Sequence, residues 1–127
     1  MKAYTDIEQS KKLTKILPIE SADMWWSKNF IYYNPTATIG ISAEYSNVYT
    51  YKFGEDDIPC WSLAALLEVL PHTFDDHNLV SGKLSDNSGW YVCYDDDNGD
   101  IDYYVHNSNL IDACYEMILM LYEQKLI

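Results

Sequence analysis

The sequence predicts an α+β protein: an antiparallel sheet of about five to six strands with about three helices packed mainly on one face, in a single domain over residues 1–127. Three observations carry that reading. Apolar residues recur at helical spacing in three separate stretches, and β-branched or aromatic runs with period-two alternation fill the intervals. The order helix, strands, helix, strands, helix lacks the strand-helix alternation of a parallel doubly wound sheet. At 127 residues, 48% hydrophobic and 15% aromatic, the chain can form one ordinary core, burying roughly two thirds of its unfolded surface.

Thr5-Asp-Ile-Glu8 has the spacing of a capping box and Pro18 closes the segment, predicting a helix over about residues 6–16. Its apolar stripe, Ile7, Leu13, Ile16 and Leu17, is thin, so the helix is peripheral. Residues 24–53 are aromatic and β-branched, and breaks at Asn34-Pro35 and Ser46-Asn47 divide them into three strands. In the last, Tyr49, Tyr51 and Phe53 alternate with Val48, Thr50 and Lys52.

Glu55-Asp-Asp-Ile-Pro-Cys-Trp-Ser62 opens a second helix. Pro59 suits a first turn, the acids suit the positive end of the dipole, and Leu63, Leu66, Leu67 and Leu70 recur until Pro71. Asp75-Asp-His-Asn78 reads as a loop, residues 79–84 as a strand and Ser85-Asp-Asn-Ser-Gly89 as a turn. Asn107-Ser-Asn109 caps a last helix over about residues 110–125. There Leu110, Cys114, Met117 and Leu121 keep heptad spacing while Ile111, Ile118, Leu119 and Met120 widen the apolar surface. Such a helix needs cover on most sides, from the sheet and the second helix, or from a homodimer contact.

Tyr94-Asp-Asp-Asp-Asn-Gly-Asp-Ile-Asp-Tyr103 invites a calcium-loop reading. Placing Gly99 at the sixth position of such a loop puts Tyr94 first and Val105 twelfth, where oxygen ligands are required, so the spacing fails. Asn98-Gly99 instead predicts a two-residue type I′ turn. That register pairs Asp97 with Asp100, Asp96 with Ile101, Asp95 with Asp102, Tyr94 with Tyr103, Cys93 with Tyr104 and Val92 with Val105. It places Val92, Tyr94, Ile101, Tyr103 and Val105 on one face and Asp95, Asp97, Asp100 and Asp102 on the other. Like charges then face each other, which calls for solvation or a cation at the tip. The divalent-cation reading and a docking reading follow from that cluster.

Charge narrows the function further. The net charge is −12, with eight lysines, no arginine and twenty acids, four of the lysines lying in the first fifteen residues. Phosphate-backbone binding needs Lys and Arg, so direct DNA or RNA recognition and anionic membrane surfaces are disfavoured, whereas a basic partner is attracted. The opening MKAYTDIEQSKKLTKIL carries scattered charges and no apolar stretch of signal-peptide length, and no later segment is long enough to span a bilayer, so the reading is a cytoplasmic chain. Cys60, Cys93 and Cys114 are odd in number and widely spaced, as buried thiols in a reducing compartment. No cofactor motif occurs. His72 and His77 flank Asp75-Asp76 at a spacing that matches no zinc pattern, and His106 has no partner identifiable from sequence. Adjacent residues in a strand point to opposite faces, so one of Trp25 and Trp26 is expected at the surface as an interface residue.

Three stretches, Glu20-Ser-Ala-Asp-Met-Trp-Trp26, Ile58-Pro-Cys-Trp-Ser-Leu-Ala-Ala-Leu-Leu-Glu-Val-Leu-Pro71 and Asn109-Leu-Ile-Asp-Ala-Cys-Tyr-Glu-Met-Ile-Leu-Met-Leu-Tyr-Glu-Gln124, resemble a group of short acidic proteins of gut anaerobic bacteria, often encoded in or near mobile elements. The resemblance carries over no catalytic or binding residue and implies an accessory or host-interaction protein. The sequence reading is therefore an acidic module that docks a basic protein surface, or in a sharper form mimics nucleic acid, through Asp95, Asp97, Asp100 and Asp102 with Trp25 or Trp26. Two alternatives stand beside it: a small-molecule binder or enzyme with an aromatic and acidic pocket, and weak divalent-cation binding at the hairpin.

Overall fold

A computed structural model describes residues 2–27, 30–33 and 57–127. The α+β class holds: the described residues form three α-helices, one 3-10 turn and seven strands, all paired antiparallel. The strands divide over two sheets rather than one, three strands before the second helix and four after it. The chain falls into two compact units, Tyr4–Ala65 and Met1–Ala3 with Leu66–Ile127. The expected strands within residues 36–41 and 48–53 lie outside the described residues.

In the first unit, α1 (Ile7–Thr14) is followed by a 3-10 turn (Ile19–Ser21). Asp6, not Thr5, is its cap: Asp6 Oδ1 accepts from Gln9 N at 2.8 Å and Gln9 Oε1 accepts from Asp6 N at 3.1 Å. Thr5 is withheld from that role because it is fully buried. Its N donates to Trp61 O at 3.0 Å, its Oγ1 accepts from Trp61 N at 3.1 Å, and its Oγ1 shares a hydrogen with Ser10 Oγ at 2.7 Å. Its carbonyl accepts from Trp26 Nε1 at 3.1 Å.

The segment 24–33, expected as one strand, forms two, β1 (Met24–Ser27) and β2 (Phe30–Tyr33), which pair with each other; β3 (Asp57–Cys60) joins the other side of β1. Residues 57–60 were expected in the first turn of the second helix. They pair instead with β1, with Pro59 opposite Trp25 on a strand that lies at the sheet edge among the described residues, where a missing N–H is tolerated. The helix, α2 (Leu63–Val69), starts later because Ser62 caps it: Ser62 Oγ accepts from Ala65 N at 3.2 Å. Buried Asp23 fixes that cap, accepting from Ser62 N at 2.9 Å with one carboxylate oxygen and from Ser62 Oγ with the other.

The second unit holds the four-stranded sheet in the order β4 (Thr73–Phe74), β5 (His77–Lys83), β6 (Trp90–Asp95), β7 (Ile101–Asn107). The expected loop at 75–78 is a tight hairpin, with Phe74 paired to His77 and both Asp75 and Asp76 at positive φ (46° and 61°), the geometry of a type I′ turn. α3 (Leu110–Glu123) begins as expected at Asn109, whose Oδ1 accepts from Asp112 N at 2.8 Å. It ends two residues early in a Schellman motif, with Lys125 at φ 61° and Leu126 N donating to Leu121 O at 2.8 Å.

α3 packs on β6 and β7. Its Cys114 lies beside Tyr94, and its Glu116 Oε1 accepts from Asn107 Nδ2 at 2.9 Å. Those contacts identify the covered face as the one bearing Val92, Tyr94 and Val105, buried with Ile111, Met117, Ile118 and Leu121. Burial accounts for the cover that the sequence demanded on that side of α3. Cys60, Cys93 and Cys114 are all buried, and loss of water pushes each thiol up from its ordinary value of 9.0, Cys114 to about 12. Among the described residues no helix is long and apolar enough to cross a membrane.

Replacing Thr5 by Val keeps the shape but leaves the buried Trp61 N–H without its acceptor, so Thr5→Val is expected to destabilise the protein by about 1–3 kcal/mol, read as a lower urea midpoint with an unchanged slope.

Candidate interaction surface

The acidic hairpin keeps the expected register only part way. Val92 pairs with Val105, Cys93 with Tyr104 and Tyr94 with Tyr103, but Asp95 then pairs with Ile101 and not Asp102. Asp102 is the extra residue, a bulge in β7. The turn is not type I′. Gly99 N donates to Asp96 O at 3.0 Å and Asp96 N donates to Asp100 O at 2.9 Å, while Gly99 alone in the loop has positive φ (82°). This is a type I turn closed by a glycine bulge, the three-residue alternative that Asn-Gly also serves.

The shift overturns the expected sorting of side chains. Ile101 shares a face with Asp95, turned away from α3, and is 52% exposed rather than buried. The facing pairs Asp97 with Asp100 and Asp95 with Asp102 do not form. Asp96, which was not among the candidate residues, bonds the turn: its Oδ1 accepts from Asn98 N and Asp100 N, both at 2.9 Å. Asp97 and Asp100 are exposed, and Asp95 is half-buried.

Asp102 lies against His77. Its Oδ2 is 2.7 Å from His77 Nε2, and the other ring nitrogen, Nδ1, is 2.7 Å from the Asp75 carbonyl. The imidazole is 12% exposed, stacked on Phe74 (centroids 6.0 Å) and edge-on to Tyr103 (6.4 Å). Phe74 in turn contacts Tyr94 at 4.5 Å and Tyr103 at 5.3 Å, and the Tyr94 hydroxyl donates to Pro71 O at 2.6 Å. Burial holds the Tyr94 phenol far above its ordinary value, so it stays neutral. Both nitrogens of His77 are engaged, which leaves it no atom for a substrate. His72 and His106 are exposed. No sequence pattern flags the His77–Asp102 pair, since the two residues are 25 apart and a strand without the bulge would aim Asp102 at the opposite face.

On the face turned away from α3, Tyr91 stacks on Tyr104 (6.2 Å, 14°). The Tyr91 ring lies across Gly82, where a Cβ would sit 2.8 Å from its hydroxyl. Tyr104 is 47% exposed, and Ile101 and Asp95 extend the same face toward the acidic turn. Trp25 and Trp26 belong to the other unit, and neither is exposed as expected. Trp25 is buried and stacked on Tyr32 (5.5 Å, 15°), and Trp26 is half-buried with its indole N–H bonded to Thr5 O. Among the described residues no three His, Cys, Asp or Glu side chains gather where they could hold a metal ion.

Gly99 has open space around its α-carbon, so Gly99→Ala tests the backbone alone: it is expected to destabilise by about 1 kcal/mol in chemical denaturation, from positive φ. Asp96→Ala is expected to destabilise more than Asp97→Ala in the same measurement, because only Asp96 bonds the turn. No protein-family model matches the chain, and neither the curated proteins nor the solved structures contain a match, so its functional reading rests on this geometry.

Proposed function

We propose that the chain is an acidic protein-interaction module that receives a basic partner on the face of its four-stranded sheet turned away from α3. The observation that carries this reading is the coincidence on one surface of exposed tyrosine and isoleucine with an acidic turn. Tyr104 and Ile101 are about half exposed beside Asp95, and Asp97 and Asp100 are exposed at the tip. A lysine or arginine of the partner can lay its methylenes on the Tyr91–Tyr104 stack while its charge meets Asp95, Asp97 or Asp100. A net charge of −12 without arginine adds long-range attraction for the same partner and repels polyanions. The reading moves the docking surface away from Trp25 and Trp26 and leaves Asp102 out of it, since that carboxylate is held by His77.

A fluorescent lysine-rich peptide tests the surface against mere charge. The variant Asp95→Asn/Asp97→Asn/Asp100→Asn is expected to weaken binding about tenfold, the size three surface charge pairs supply. Glu8→Gln/Glu20→Gln/Glu68→Gln makes the same change in net charge at exposed positions elsewhere and is expected to weaken it far less. Equal losses in the two variants, or no binding by the unaltered protein at low salt, would overturn the proposal.

A further inference from the structure

A neutral imidazole carries one N–H and can donate only one hydrogen bond; the imidazolium carries two. Both ring nitrogens of His77 face acceptors: the Asp75 carbonyl at 2.7 Å from Nδ1 and the Asp102 carboxylate at 2.7 Å from Nε2. Neither acceptor can supply a proton to the ring when Asp102 is ionised, so with a neutral histidine one of these contacts would set lone pair against lone pair. We propose that His77 is a doubly protonated latch that pins the β4–β5 turn to the bulge in β7, and that loss of its proton frees Asp102 and loosens this end of the sheet.

The surroundings support the charged form. Asp75 and Asp76 form the turn before His77, Asp96 lies in the β6–β7 loop, and Asp102 and Tyr103 come from β7. Phe74 stacks on the ring, with the neutral phenol of Tyr94 against Phe74, and neither brings an opposing charge. His77 is raised from its ordinary value of 6.5 by the Asp75 carbonyl first, against partial loss of water, and then by the hydrogen bond and charge of Asp102 and the charge of Asp96. The two strained αL aspartates of the β4–β5 turn sit directly against this residue. The bulge has a purpose in this arrangement: it turns Asp102 to the side of the sheet where His77 waits.

The folded state holds this proton more tightly than the unfolded chain does. The latch's stabilisation is therefore fully present below pH 6.5 and is lost as pH rises through the folded-state midpoint. Nitrogen-15 NMR of the full chain reads the protonation directly. Both His77 ring nitrogens are expected to be protonated at pH 6.5, with a midpoint above that value. Asp102→Asn, which keeps the bulge and the shape of the side chain, is expected to lower the midpoint. In parallel, the difference in melting temperature between the unaltered protein and His77→Gln is expected to be largest at acidic pH and to shrink through the same midpoint. A single protonated nitrogen at pH 6.5, a midpoint that Asp102→Asn leaves in place, or a pH-independent effect of His77→Gln would each overturn the proposal. Because the titration is read on a protein that retains His77, the proposal stays testable even if His77→Gln fails to fold. These readouts do not involve a binding partner, so they are independent of the docking reading.

Discussion

The displacement of one residue in β7 controls the chemistry of the whole acidic end of the sheet. Up to the pair Tyr94–Tyr103 the two strands alternate regularly, and the tyrosines share the face that α3 covers. Beyond it, toward the turn, Asp102 bulges out and Ile101 moves to the opposite face. Ile101 goes to water, Asp95 gains an apolar neighbour instead of a like charge, and Asp102 meets a histidine. A regular ladder would have set two pairs of aspartates face to face, each costing some tenths of a kcal/mol.

The aspartates of this hairpin consequently do different work despite their common chemistry. Asp96 accepts two backbone N–H groups and holds the turn; Asp102 meets an imidazole; Asp97 and Asp100 are left in solvent. Composition counts such carboxylates alike, but only those without an intramolecular donor can offer full charge to another molecule. The same division runs through the other unit, where Asp23 is committed to the Ser62 cap and Asp6 to the first turn of α1.

Several of these features were legible in the sequence and others could not be. The last helix, its Asn109 cap and three hairpin pairs followed from periodicity and turn chemistry, because each is set by residues a few positions apart. The cap of α1 was displaced by one residue. Thr5 and Asp6 are both competent caps, and only the burial of Thr5 against Trp61 decides between them. Residues 57–60 misled for a related reason: Ile58, Pro59 and Cys60 fit the first turn of a helix as well as a strand, and pairing with Met24–Ser27 settles the choice. The Asn98-Gly99 dipeptide serves two turn families, so it announced a hairpin without fixing the register. His77–Asp102 was invisible because it exists only through that register.

Burial of all three thiols has a practical side as well. Cys60, Cys93 and Cys114 are shut away from solvent and held as neutral thiols, so electrophiles and mild oxidants find little thiolate to attack. The native protein is therefore expected to react only slowly with sulfhydryl reagents. A single cysteine engineered at the solvent-exposed Asp97 would take up a maleimide dye alone, giving a spectroscopic reporter without first stripping the natural sulfurs from the core.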